Sequence, residues 1–233
     1  MALTLYFHPL ASFCHKVLVA LYENQTPFTG HIVNLADRDT SAPFLELWPL
    51  GKIPVLRDEE RDRTIPETTI IIEYLERHYC GARPLLPHEP DERLEARLWD
   101  RFFDLYVQVP MAKVVTDRLR SGGEHDPRGV ADAKSALGTA YDMIERRMAD
   151  RTWVVGEGFS LADCAAAPAL FYAAIVLPFP QSHGRLAAYF ERLMGRASVK
   201  RAIAEARPYF HMFPYKDSIP TRFLQGEPVA DRA

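Results

Sequence analysis

LTLYFHPLASFCHKVLVALYE, residues 3–23, decides how the rest of the chain is read. Leu3 to Phe7 is rich in β-forming residues and is closed by His8-Pro9, which marks a short strand and a turn. From Ser12 to Glu23 the apolar residues Phe13, Val17, Ala20 and Leu21 recur at helical spacing, with Ser12 placed as the N-cap. A strand that turns directly into a helix leaves the first N–H groups of that helix facing the turn. Their partial positive charge stabilises an anion there. A thiolate is such an anion, whether it belongs to Cys14 or to a bound ligand; a plain cap and an inward-packed cysteine are the simpler alternative.

Working outward, Phe28 to Val33 reads as a second strand and Ala42 to Trp48 as a short helix ended by Pro49 and Gly51. Val55-Leu56 and Thr64-Ile65, separated by the charged turn DEERDR, read as a hairpin, and Thr68 to Tyr79 as a helix. Residues 1–79 therefore form a β-α-β-α-β-β-α domain. CGARPLLPHEPD, residues 80–91, holds three prolines and a glycine and suits a linker. Residues 92–215 show no convincing strand. Helices are expected from Glu92 to about Arg120, Val130 to Ala149, Ser160 to Leu177, Arg185 to Leu193 and Val199 to Ala206, before a loose polar tail over 216–233. The predicted class is an α/β domain followed by an all-α domain.

Composition narrows the function. The 233 residues are 48% hydrophobic and 25% charged, and 28 Lys+Arg against 31 Asp+Glu leave a net charge of −3. That balance argues against a nucleic-acid partner. Cys14, Cys80 and Cys164 form no CxxC pair, which fits a reducing, cytoplasmic setting. MALTLYFHPL lacks the basic leader of a secretory signal, and the apolar run Leu161 to Leu177 carries Asp163 and Pro168, so it reads as a buried helix and no membrane partner is expected. Gly51-Lys52 is not a phosphate loop, and Gly156-Glu157-Gly158 is not a dinucleotide fingerprint. No GxSxG elbow occurs, and the histidines have no HxxxH spacing, so no metal is expected.

Three further motifs remain. In PLGKIPVL, residues 49–56, a proline entering a strand removes a ladder donor; if its peptide is cis, the backbone of Ile53 is left to pair with an extended ligand. Pro66-Glu67-Thr68 places a carboxylate and a hydroxyl at a helix start, as a cap or as a binding pair. Ser160-Leu161-Ala162-Asp163 is a capping-box start to the most apolar helix, a structural role for Asp163.

In this order and spacing, SFCHKVLVALYE, PLGKIPVL, the Glu67-Thr68 pair and GFSLADC resemble the glutathione S-transferase superfamily from Leu3 to about Pro208. The resemblance implies a thioredoxin-like first domain, a helical second domain, a homodimer, and a glutathione transferase that takes glutathione as co-substrate with a small hydrophobic electrophile. It makes Pro54 the cis proline and gives the cysteinyl part of glutathione to the backbone of Ile53. Glu67 and Thr68 take the γ-glutamyl end, and Lys52 the glycyl carboxylate. Where many members place the activating serine or cysteine this chain has Ala11. Ser12 is then the catalytic candidate, beside backbone amides at the helix start and Cys14 as alternative nucleophile. A deglutathionylating enzyme using Cys14 and a non-catalytic glutathione-binding regulator are the rival functions. Leu10, Tyr106, Met111 and Tyr209 to Phe213 are the expected walls of the electrophile pocket.

Overall fold

The computed structural model describes residues 2–35, 37–81 and 83–225. A four-stranded sheet in the order β2-β1-β3-β4 is built from β1 (Leu3–Phe7), β2 (Thr29–Ile32), β3 (Val55–Asp58) and β4 (Arg63–Pro66). β2 runs parallel to β1, with Leu5 opposite Gly30; β3 runs antiparallel to β1, and β4 antiparallel to β3. A parallel step needs a crossover, which α1 (Ser12–Glu23) supplies. α2 (Arg38–Leu47) leads into β3, and α3 (Thr68–His78) follows β4. α2 begins earlier than its expected start at Ala42 and contains Pro43. Leu3, Leu5 and Phe7 alternate into the core, as a strand's two-residue period dictates.

α1 departs from the one-faced helix that its spacing suggests. Every residue from Cys14 to Leu21 is buried, because the helix lies between the sheet and the second domain and packs against α3 and two helices introduced below. Lys16 is carried into that interior. Its ammonium sits 2.6 Å from Asp100 Oδ1 and 2.7 Å from Asp104 Oδ2, and it donates to Thr69 Oγ1 at 3.1 Å.

The second domain opens with α4 (Pro90–Phe102), continues through a π-helical segment (Phe103–Gln108) into α5 (Val109–Asp117), and then forms α6 (Pro127–Arg147), α7 (Leu161–Val176), α8 (Gly184–Met194) and α9 (Ala197–Ala206). α4 starts two residues before the expected Glu92. Pro90 fits the first turn, where its missing N–H costs nothing, and the Glu89 carboxylate accepts from Glu92 N at 2.7 Å. Pro110 falls in the first turn of α5 for the same reason. α7 has the expected capping box between Ser160 and Asp163. Asp163 is fully buried; burial lifts its carboxyl to about 6 against hydrogen bonds from Tyr189, Ser160 and Val154. α7 and α9 are the two helices that cover α1.

The first part of the expected loose tail is packed. Ile219 is buried, a short α10 (Thr221–Leu224) brings Phe223 edge-on to Phe171 at 5.1 Å, and Arg207 Nε donates to Phe223 O at 2.9 Å. Residues 226–233 of that tail lie outside the described residues.

Candidate functional site

Strand register decides which motifs meet. Val55 pairs with both Tyr6 and Pro66. The chain just before Val55, the chain just after Pro66 and the end of β1 therefore emerge at one end of the sheet. Ile53-Pro54, Glu67-Thr68 and the turn into α1 share that end. The Ile53-Pro54 peptide is cis, as the resemblance implies. Pro54 is buried, Ile53 half-buried and Lys52 exposed. Gly51 precedes them at φ +61, a conformation open to glycine without strain.

Glu67 is a different case. It holds φ +66 and ψ 118 with a side chain, stays exposed, and makes no capping bond. Such a conformation costs on the order of 1–3 kcal/mol and persists only where its surroundings over-determine it. Here they do: Pro66 is fixed in the ladder, Thr68 is the buried first residue of α3, and Ile71 N donates to Glu67 O at 2.8 Å. The far end of α3 is tied to the sheet as well. Tyr74 and Tyr79 each donate to the Asp58 carboxylate at 2.7 Å. Burial favours the protonated acid at Asp58, but those bonds and Arg61 outweigh it and hold the pKa down to about 2. The result is an exposed carboxylate residue beside the first N–H groups of a helix, with the helix anchored behind them.

At the turn into α1, Ala11 and not Ser12 is the N-cap, and no side chain caps the helix. Ser12 is the first helical residue, half-buried, and its Oγ accepts from Gln108 Nε2. The turn itself is firmly held. Leu10 N donates to His8 Nδ1 at 3.1 Å, Ala11 N to His8 O at 3.0 Å, and Tyr172 OH to Leu10 O at 2.8 Å; the His15 ring meets Pro9 O at 2.5 Å. Burial lowers the His15 pKa to about 4, so this histidine is neutral. Among the described residues, the N–H groups of Ser12 and Phe13 donate to no backbone carbonyl, which leaves two donors at the helix start. Cys14 engages the backbone of His8 with its thiol beneath the turn. It is fully buried, and burial pushes its thiol up to about 12.

Ser12, Ile53, Pro54, Glu67 and Thr68 are thus gathered at one end of the sheet, with Lys52 on the exposed approach and Cys14 in the core. Of the expected pocket walls, Met111, Phe210 and Phe213 are core residues; Phe210 stacks on Phe171 and Phe213 packs on Tyr172. Leu10 and Tyr209 remain half-buried near the turn, where the Tyr209 ring lies 4.9 Å from His8, and Tyr106 is exposed. Sequence reasoning passed over Gln108 and Lys16. Gln108 is a lone polar residue in an apolar run, VQVPM, and Lys16 opens another, KVLVAL; that was the available signal. No group of metal-ligating side chains stands together among the described residues, and no helix there is long and apolar enough to cross a membrane.

Comparisons with known proteins agree on one family. The model of the glutathione S-transferase N-terminal domain matches residues 11–78, and that of the C-terminal domain residues 102–197. FtsZ-localized protein A of Caulobacter vibrioides is 34% identical over 171 residues, covering 70% of this chain and 74% of that protein. Glutathione S-transferase F13 of Arabidopsis thaliana is 28% identical over 179 residues, 74% of this chain and 80% of its own. A solved structure of a glutathione S-transferase from Methylobacillus flagellatus, with GSH bound, is similar at a TM-score of 0.79 and 27% identity, over 86% of this chain and 98% of that one.

Proposed function

The chain belongs to the glutathione S-transferase superfamily, with a thioredoxin-like first domain and a helical second domain, and from that premise we propose that it binds glutathione and transfers its thiolate to a small apolar electrophile. One observation carries the reading. Glu67 is held exposed, in a strained backbone, beside Pro54 and the start of α3. A carboxylate next to helix N–H groups suits a ligand end that bears both an ammonium and a carboxylate, as the γ-glutamyl unit does. Glu67 takes the ammonium. Thr68 and the amides around it take the carboxylate. The Ile53 backbone pairs with the cysteinyl unit, and Lys52 faces the glycyl carboxylate.

That placement lays the sulfur at the start of α1. The Ser12 hydroxyl and the N–H groups of Ser12 and Phe13 stabilise the thiolate there, lowering the thiol pKa and raising the reactive fraction near neutral pH. The proton leaves to solvent, and the sulfur lone pair forms a C–S bond to the electrophile, expelling a leaving group or adding across an activated double bond. Leu10, Tyr106 and Tyr209 offer the electrophile apolar surface. The burial of Cys14 supports conjugation over a thiol–disulfide reaction, because a thiol with a pKa near 12 has almost no thiolate at neutral pH.

The enzyme works in the cytoplasm as a homodimer. Ile70 of α3 and Leu94 and Leu98 of α4 are each more than half exposed, with Arg97 and Glu73 paired through two bonds of 2.7 Å between the same helices. A two-fold pairing would cover that patch. The experiment is an assay of thioether formation with glutathione against aryl halides and α,β-unsaturated carbonyl compounds. Enzyme-dependent product in at least one class is expected. Glutathione binding without turnover across the panel would favour a binding or regulatory protein, a reading that the resemblance to a protein named for its localisation with FtsZ also invites.

A further inference from the structure

Gln108 is the one side chain of the second domain that bonds to Ser12 among the described residues. It is 4% exposed, closes the π-helical segment, and stands 96 residues from its partner in sequence. Its neighbours Val107 and Met111 are buried apolar residues, so packing alone would be served by a leucine or methionine. Its Oε1 is buried and meets no donor among the described residues. A glutamine kept under those conditions has work for its amide, and π-helical turns occur often at functional sites.

We propose that Gln108 is a positioning residue of the thiol-activating centre: it holds the Ser12 oxygen from the acceptor side and so directs the single hydroxyl hydrogen to the sulfur of glutathione. The inference rests on the transferase reading above. A serine hydroxyl has one hydrogen to give and two lone pairs. A neighbour that accepted from Ser12 would spend that hydrogen, whereas an N–H that donates to the oxygen leaves it free and polarises it further. Other polar groups around this turn are already engaged. His15 is bonded to Pro9 O, Lys16 is paired with Asp100 and Asp104, His8 Nδ1 accepts from Leu10 N, Tyr172 donates to Leu10 O, and Cys14 is sealed in the core. Arg101, in the last turn of α4, bonds to Asp104 and Thr69. Orientation of the hydroxyl therefore falls to Gln108, and it ties the helical domain into the centre.

The test follows the ultraviolet absorbance of bound thiolate against pH in the wild type, Gln108→Met and Gln108→Glu, with glutathione affinity measured in parallel by calorimetry. Methionine keeps the volume and removes the donor. Glutamate accepts only and takes the Ser12 hydrogen for itself. The bound thiol pKa should rise by about one unit in Gln108→Met, a tenfold smaller thiolate fraction below it, and further in Gln108→Glu. Affinity should be unchanged at a pH below the bound thiol pKa of every protein, where the ligand binds as the thiol, and should fall in step with the pKa above it. In a Ser12→Ala background Gln108→Met should add nothing, since the two residues act as one unit. A lowered thiol pKa in the wild type that both variants retain, or a full additional rise in the Ser12→Ala background, would overturn the role of Gln108 and leave the transferase reading standing. Failure of the wild type to bind glutathione would overturn both.

Discussion

At position 12 a half-buried hydroxyl is held by an amide from the other domain, and at position 14 a thiol is enclosed on every side. The two differ in what they can reach, and the consequence is measurable. Ser12→Ala should lower turnover by on the order of 10²-fold, the worth of one donor to a developing anion in a site shielded from water. Cys14→Ala should keep most of the activity. If Cys14→Ala abolishes turnover and the wild type traps a mixed disulfide with glutathione, the thiol–disulfide reaction replaces conjugation. Sequence alone placed Ser12 as a cap, because serine before an apolar helical run commonly is one. The helix starts one residue earlier than that reading allows, and the cap position falls on Ala11. A hydroxyl released from capping is available for other partners, which no local pattern could show, since Gln108 comes from a distant element.

α1 shows the same limit on a larger scale. Its apolar spacing was legible, and so was the DEERDR hairpin whose register brings Pro54 to Glu67. Periodicity reports one covered face; it does not report that α7 and α9 return to cover the opposite one. Nor does it report that Lys16 is enclosed with Asp100 and Asp104. The π-helical segment and the packing of residues 219–223 were hidden for the same reason, as both depend on contacts between distant elements. Lys16→Met removes the buried cation and leaves Asp100 and Asp104 with the exposed Arg101 as their remaining counter-charge; Asp104 is already pushed upward by burial and by Asp100 against the pull of Lys16. The variant should lose about 3–5 kcal/mol in denaturant unfolding. A loss below about 1 kcal/mol, the size of an exposed ion pair, would mean that water reaches the cluster.

For the molecule as a whole, Phe102 at the end of α4 and Phe103 at the start of the π-helical segment turn into the core, while Leu94 and Leu98 of α4 stay outside with Ile70. Light scattering should still give twice the 26.5 kDa chain mass, and Leu98→Glu should shift it toward one chain; a monomer at every concentration would remove the dimer from the account. The site does not depend on that outcome, since Ser12, Pro54 and Glu67 meet within one chain. Its central claim is that the strained, exposed Glu67 exists to hold the ammonium end of glutathione. Calorimetric titration of glutathione into the wild type and Glu67→Gln tests this most directly. The account predicts one saturable site per chain and a loss of about 1.5–3 kcal/mol in the variant, the worth of a hydrogen bond to a charged group. Equal affinity in the two proteins, or no binding by the wild type, would contradict it.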